Sequence, residues 1–191
     1  MSNQLKQRVS RYISKSSNLE WPENIVDFNN HSFIVNGIKP LIQVQDDIES
    51  AFVWCWSIKD LLIAELINTN PSISKEMLES EINKHSCLTY CSDIANGLKH
   101  GGLRKSRSGK FAQLSVVQSI LVNSELVSVI YRLEGKYFIV PKDRDCVKIK
   151  ACVNDENGQF LLDAYKCLHE SLIAWDYIYS SYNLVGSISE A

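Results

Sequence analysis

The chain has 191 residues, of which 45% are hydrophobic and 22% are charged, and its formal net charge is −2. This length predicts one domain that buries about 70% of the unfolded chain's surface, so that folding needs no disulfide or metal. The apolar fraction excludes a disordered chain, and the nearly neutral charge excludes a general nucleic-acid binder. The first seventeen residues lack the apolar core of a secretory signal. The sequence also has no run of about 18 apolar residues, so no membrane span is predicted. We therefore expect a cytoplasmic protein.

Six cysteines lie mostly on apolar faces of the predicted helices and strands. They are Cys55, Cys87, Cys91, Cys146, Cys152 and Cys167. Without an export signal, such cysteines are typical of reduced core thiols. The spacing of His85, Cys87 and Cys91 would allow a metal, but structural zinc sites need a second ligand pair, which the sequence lacks. We expect neither a metal nor a cofactor.

The first half of the chain predicts helices around one hairpin. Residues 3–16 carry apolar side chains at helical spacing. Residues 32–44 are predicted to form a hairpin around Asn36-Gly37, with Pro40 confining the second strand to a sheet edge. Residues 46–68 predict the clearest helix, whose apolar residues cover two sides and favour a central place in a bundle.

A further helical region is predicted from Asn70-Pro71 to His100, with a break near His85 and a stop at Gly101-Gly102. The pattern then changes to short segments of alternating or β-branched residues, which predict an antiparallel meander. These segments are 112–122, 126–133, 137–140 and 146–153. A turn at 155–158 leads into a last helix.

These elements predict an α+β fold, mainly a helical bundle of about four helices with an antiparallel β meander inserted before the last helix. We expect a single domain spanning 1–191. Its bundle would comprise 1–104 and 158–183, and its β insertion would comprise 111–153.

One polar stripe stands out at the end of the second helical region. On a helix, Asp93, Asn96 and His100 fall within an arc of about 60°, away from the apolar face. The residues from Lys99 to Lys110 carry five positive charges and no acid, which leaves −7 for the rest of the chain. The cations are Lys99, Arg104, Lys105, Arg107 and Lys110. We call residues 99–110 the basic segment.

The stripe and the basic segment together indicate a local polyanion site. In this interpretation His100 is a general acid or base, Asn96 orients it or binds substrate, and Asp93 sets its charge. The cations of the basic segment would bind nucleic acid. The alternative is a capped and solvated helix end with a purely structural role.

The spacing Asp93-x-x-Asn96-x-x-Lys99-His100 resembles the small bacterial helical proteins related to the HEPN superfamily. A long apolar helix precedes it and an amphipathic helix containing Trp175 closes the chain. The resemblance covers about two thirds of the chain and implies a bundle of four or five helices. It also implies a metal-independent endoribonuclease of a defence or toxin-type system, with two copies meeting in a homodimer. The superfamily's motif carries an Arg where this chain has Asp93 and Ile94.

Two functions therefore stay open. One is a HEPN-like protein that binds or cleaves RNA through the histidine-containing helix end. The other is a non-enzymatic module that binds a protein partner. The apolar surface on two sides of helix 46–68 favours a homodimer in either case.

Overall fold

The computed structural model describes residues 2–16, 41–120, 125–133, 136–142 and 147–188. Its helices are α1 (Ser2–Ser16), α2 (Leu41–Thr69), α3 (Lys75–Ile82), α4 (Ser86–His100) and α5 (Ala164–Ile188). Its strands are β1 (Gln113–Ile120), β2 (Val127–Leu133), β3 (Lys136–Pro141), β4 (Val147–Asn154) and β5 (Phe160–Asp163). The predicted α+β class, mainly helical with antiparallel strands before the last helix, is confirmed.

The described residues group into two compact units. One comprises those within 1–13, 48–115 and 151–191, and the other comprises those within 14–47 and 116–150. The single domain spanning 1–191 stays a prediction. No helix in the described part of the chain is long and apolar enough to cross a membrane.

The core of the first unit is built on α2, whose predicted apolar stripe is buried throughout. Its members are Ile48, Phe52, Cys55, Leu62 and Leu66. Trp175 of α5 is fully buried beside this helix, and its indole N–H donates a hydrogen bond of 3.1 Å to the Cys55 carbonyl oxygen. The bond satisfies the one polar group of a large buried side chain. Helices α2 and α5 therefore form the centre of this unit.

Helix α1 packs along α5. Val9 is fully buried, the rings of Tyr12 and Tyr165 stack with centroids 6.1 Å apart, and Lys6 pairs with Asp176 at 2.5 Å. The predicted apolar face of residues 3–16 thus contacts the last helix of the chain.

The strands form two sheets instead of one continuous meander. One sheet has the order β1-β4-β5, and the other pairs β2 with β3. Strands β4 and β5 are antiparallel, with Cys152 opposite Asp163. Strands β2 and β3 are also antiparallel, with Ile130 opposite Ile139. Alternation along a strand shows which residues share a face but does not specify the neighbouring strand.

Three predicted boundaries are corrected. Residues 41–44, predicted as strand, begin α2, where Val44 and Ile48 are buried one helical turn apart; the rest of the predicted hairpin lies outside the described residues. Helix α3 begins at Lys75 and not at Pro71, because Ser74 accepts a capping bond from the Met77 N–H. The turn at 155–158 joins β4 to β5 and does not enter the last helix directly.

Candidate functional site

Helix α4 ends where the sequence predicts. Gly101 adopts the left-handed conformation with φ of 65°, and the Gly102 N–H donates a 2.9 Å hydrogen bond to the Gly97 carbonyl oxygen. This is a glycine C-cap that satisfies one of the last helical carbonyls. Lys99 and His100 lie exposed in the final turn, where the helix dipole favours positive charge.

Asp93 organises the segment that follows the helix. The residue is only 1% exposed. One carboxylate oxygen accepts hydrogen bonds from the Ser106 hydroxyl at 2.6 Å, the Ser108 hydroxyl at 2.5 Å and the Ala112 N–H at 3.3 Å. The other accepts from the Arg107 N–H at 2.6 Å. A buried carboxylate is tolerated when it is hydrogen-bonded in this way, so Asp93 holds residues 106–112 against α4.

Further hydrogen bonds continue this network into the end of the basic segment. The Ser106 hydroxyl oxygen accepts from the Phe111 N–H at 3.0 Å, and the Ser108 hydroxyl oxygen accepts from the Lys110 N–H at 3.0 Å. Phe111 has a φ of 50°, which is unfavourable for a bulky residue. Such a conformation persists where surrounding bonds determine it. The network therefore fixes both the course of the loop and the position of Phe111.

Arg107 has a structural role within the same unit. Its guanidinium lies 2.6 Å from a Glu79 carboxylate oxygen and 3.3 Å from the Asn83 side-chain oxygen. It also lies over the Trp56 ring, 4.9 Å from the centroid. Burial by itself raises the pKa of the Glu79 carboxyl, but the hydrogen bond and charge of Arg107, together with Lys59, lower it below its ordinary value.

The other four cations of the basic segment are exposed. Lys99, Arg104, Lys105 and Lys110 form no ion pair with any residue that the structure describes. Lys99 lies in the last turn of α4, Lys110 lies within the segment that Asp93 holds, and Arg104 and Lys105 lie between the two. Of the five predicted cations, four are therefore exposed and Arg107 is in an ion pair, and the nucleic-acid-binding role of all five stays a prediction.

The structure does not join the three predicted catalytic residues into one hydrogen-bonded group. The Asp93 carboxylate faces the loop residues, and the Asn96 amide donates to the Ser92 hydroxyl at 3.3 Å. Within the described residues His100 has no side-chain hydrogen bond. The catalytic roles of Asp93, Asn96 and His100 stay predictions.

A cavity of about 320 Å³ lies beside the basic segment, within the first unit. Its apolar lining consists of Ile94, Leu98, Leu103, Phe111, Ala112 and Leu114. Glu49, Asp93 and Glu156 add carboxylates. Glu156 is held close to the loop because its N–H donates to the Lys110 carbonyl oxygen at 3.2 Å.

Gly97 also lines this cavity. A Cβ at this position would have no atom within 4 Å, so packing does not require glycine here. In a helix interior glycine is about 1 kcal/mol less favourable than alanine. Gly97 thus forms a part of the cavity wall that carries no side chain.

The cysteines face the core. Cys55, Cys87, Cys91, Cys152 and Cys167 are free and buried, whereas Cys146 lies outside the described residues. Cys91 lies 4.0 Å from the Cys55 sulfur and 3.3 Å from the Ser171 hydroxyl. Within the ranges that the structure describes, no three His, Cys, Asp or Glu side chains group as metal ligands.

Sequence reasoning missed the partners of Asp93 and the lining of the cavity. Ser106 and Ser108 lie in a glycine-containing loop, which follows a helix whose one acidic residue is Asp93. Serine hydroxyls commonly bond nearby carboxylates and backbone groups in such loops. The serines of this loop could therefore have indicated the partners of Asp93. No sequence feature indicated that Glu156, which lies in a distant turn, lines the cavity.

Comparison with protein-family models, with curated proteins and with solved structures finds no match. The site is therefore interpreted from its own geometry.

Proposed function

We propose that this chain is a HEPN-like protein of a bacterial defence or toxin-type system that binds RNA through the basic segment. In this proposal it acts in the cytoplasm as a homodimer. The observation that carries the proposal is the set of four exposed cations in the basic segment, which runs from the last turn of α4 into the loop that Asp93 holds. Contacts between such cations and phosphates supply most of the affinity for nucleic acid in non-specific binding.

Binding is better supported than cleavage. Asp93 and Asn96 are bonded to other residues, so neither is placed to orient an imidazole. Any cleavage by this chain would depend on His100, which is exposed and lies in the chain between Lys99 and Arg104. Proton transfer by such a group contributes typically about 10²- to 10⁴-fold to a rate.

The test is fluorescence anisotropy of a labelled single-stranded RNA across a range of salt concentrations. The double variant Arg104→Ala, Lys105→Ala should bind more weakly and reduce the log–log salt slope by about 1.4, since each lost contact to a single strand contributes about 0.7. The matched control removes two cations elsewhere, Lys75→Ala and Lys166→Ala, and should leave the slope unchanged. Absence of binding by the wild type at low salt would reject the proposal.

His100 separates binding from cleavage in the same samples. His100→Ala should bind RNA nearly as well as the wild type, and a gel should show loss of any cleavage that the wild type performs. Equal cleavage by both proteins would remove His100 from the chemistry.

A second candidate function is binding of a protein through the β2–β3 hairpin. Val129 and Ile130 are neighbours on β2, so they lie on opposite faces, and both are about half exposed, at 50% and 51%. A two-stranded sheet with apolar residues on both faces is only marginally stable alone. Light scattering should give twice the chain mass of 21.7 kDa if a second copy covers this surface. Val129→Lys should then reduce the particle to one chain.

A further inference from the structure

We infer that the cavity beside the basic segment binds one unstacked base of single-stranded RNA and prefers bases that carry an amino group, guanine above all. This inference rests on the proposed function, since it names the substrate of the same site. The cations alone do not explain why the cavity is there, and this inference gives the cavity a role.

The first support is the position of the cavity among the cations. Leu98, Leu103 and Phe111 line the cavity, and their direct neighbours in the chain are Lys99, Arg104 and Lys110. Neighbouring Cα atoms are about 3.8 Å apart. A phosphate bound to one of these cations would therefore hold its nucleotide next to the opening.

The second support is the size and chemistry of the walls. A volume of about 320 Å³ is at the lower end of the range of small-ligand sites, about 300 to 1,000 Å³. The walls are mostly apolar and include the ring of Phe111. Proteins that read single-stranded RNA accept unstacked bases against such surfaces. The Ser106 hydroxyl and the positive φ of Phe111 fix the backbone that carries this ring.

The third support is Gly97. The helix would be more stable with alanine at this position, and nothing in the structure occupies the space of the missing Cβ. A side chain there would start at the cavity wall, in space that no other atom occupies. The residue therefore favours an open cavity at the expense of helix stability.

The preference follows from the carboxylates. A carboxylate such as that of Glu156 can only accept hydrogen bonds, and the backbone of Glu156 is held to the basic segment through Lys110. The Watson–Crick edge of guanine presents two adjacent donors, N1–H and the N2 amino group, which fit one carboxylate. Cytosine and adenine present one amino group each, whereas uracil presents a single N–H between two carbonyl oxygens that a carboxylate repels. Guanine is therefore expected to bind best and uracil worst.

The experiment compares four nine-nucleotide RNAs by fluorescence anisotropy. One is all uridine, and the others replace the central uridine by guanosine, cytidine or adenosine. We expect the wild type to bind the guanosine-containing RNA about tenfold more tightly than the all-uridine RNA, within the range for a bidentate base contact. Gly97→Leu should block the cavity, and Glu156→Gln should replace one acceptor by a donor. Both should bring this ratio close to one without weakening binding of the all-uridine RNA.

Glu170→Gln is the matched control, because this half-exposed carboxylate lies on α5 outside the cavity lining, and the variant should keep the preference. Because Glu156 is exposed, its variant tests the inference even if Gly97→Leu does not fold. Equal affinity of the wild type for all four RNAs would overturn the inference and leave the proposed function standing. Absence of binding to any of them would reject both.

Discussion

The guanidinium of Arg107 lies over the indole ring of Trp56, 4.9 Å from its centroid. The Lys59 ammonium lies 5.0 Å from the same centroid, and the Glu79 carboxylate contacts both cations. This arrangement connects the basic segment to α2 and α3. Of the five positive charges of the basic segment, the one on Arg107 stabilises the fold and the other four are exposed.

Arg107→Ala should lower the free energy of unfolding by about 1 to 2 kcal/mol, because it removes a cation–π contact and a half-buried ion pair. Lys105→Ala removes the same charge from an exposed position and should change stability by less than about 0.5 kcal/mol. Urea denaturation of the two variants measures the difference. Equal stabilities would show that Arg107 does not stabilise the loop.

Asp93→Asn should lower the free energy of unfolding by about 2 to 4 kcal/mol. The amide group would present a donor to two hydroxyls and two N–H groups that now bond a carboxylate. Limited proteolysis should then cut within residues 101–112 earlier than in the wild type. Asn96→Ala, which loses one longer hydrogen bond on the same helix, is the control. A variant of Asp93 with wild-type stability and protection would contradict the structural role.

The ion pair of Glu79 should make stability depend on pH in a defined direction. Because the pKa of the folded carboxyl lies below its ordinary value of 4.5, the folded state binds fewer protons than the unfolded state in this range. The contribution is therefore complete above pH 4.5 and disappears as the pH falls through the folded pKa. The difference in unfolding free energy between wild type and Glu79→Gln should be present at pH 7 and shrink below pH 4.5. If the difference in unfolding free energy grew as the pH fell, the pKa of Glu79 in the folded state would not be lowered.

The core thiols should be unreactive in the folded protein. The hydrogen bond with Cys91 and burial raise the pKa of Cys55, and burial raises the pKa of Cys91. In a Cys146→Ser background, Ellman's reagent at pH 8 should modify none of the other five cysteines until denaturant is added, and then all five. Rapid modification without denaturant would show that α2 and α4 separate readily.

Gly97→Ala should raise the free energy of unfolding by up to about 1 kcal/mol, because the new methyl group meets no atom within 4 Å and alanine favours the helix. The midpoint of urea denaturation measures this gain. A loss of stability would show that the new methyl group meets neighbouring atoms, which contradicts the open space around Gly97.

The periodicity of the sequence predicted the helices well, because their apolar faces are local patterns. The break near His85 and the glycine stop after His100 were placed correctly for the same reason. The error at residues 41–44 arose from a turn signal at Asn36-Gly37 that was extended too far. Strand β5 was missed because four residues are too few to display alternation.

The candidate site was less predictable. The sequence indicated the basic segment, since charges that are close in the chain remain close in space. It did not indicate that Arg107 contacts Glu79 and Trp56, which precede it by 28 and 51 residues. The role of Asp93 depends on hydrogen bonds to a loop whose path no helical periodicity describes.

The place of α5 in the chain has a consequence for biosynthesis. The buried residues Leu168, Trp175 and Ile178 complete a core to which α2 contributes Phe52 and Leu62, more than a hundred residues earlier. During translation the apolar sides of α2 leave the ribosome long before α5 exists. Contacts between residues that are so far apart in the chain form slowly, and the apolar surface of α2 stays exposed to aggregation until they form. Nascent chains halted before residue 164 should therefore depend on chaperones more than chains that include α5.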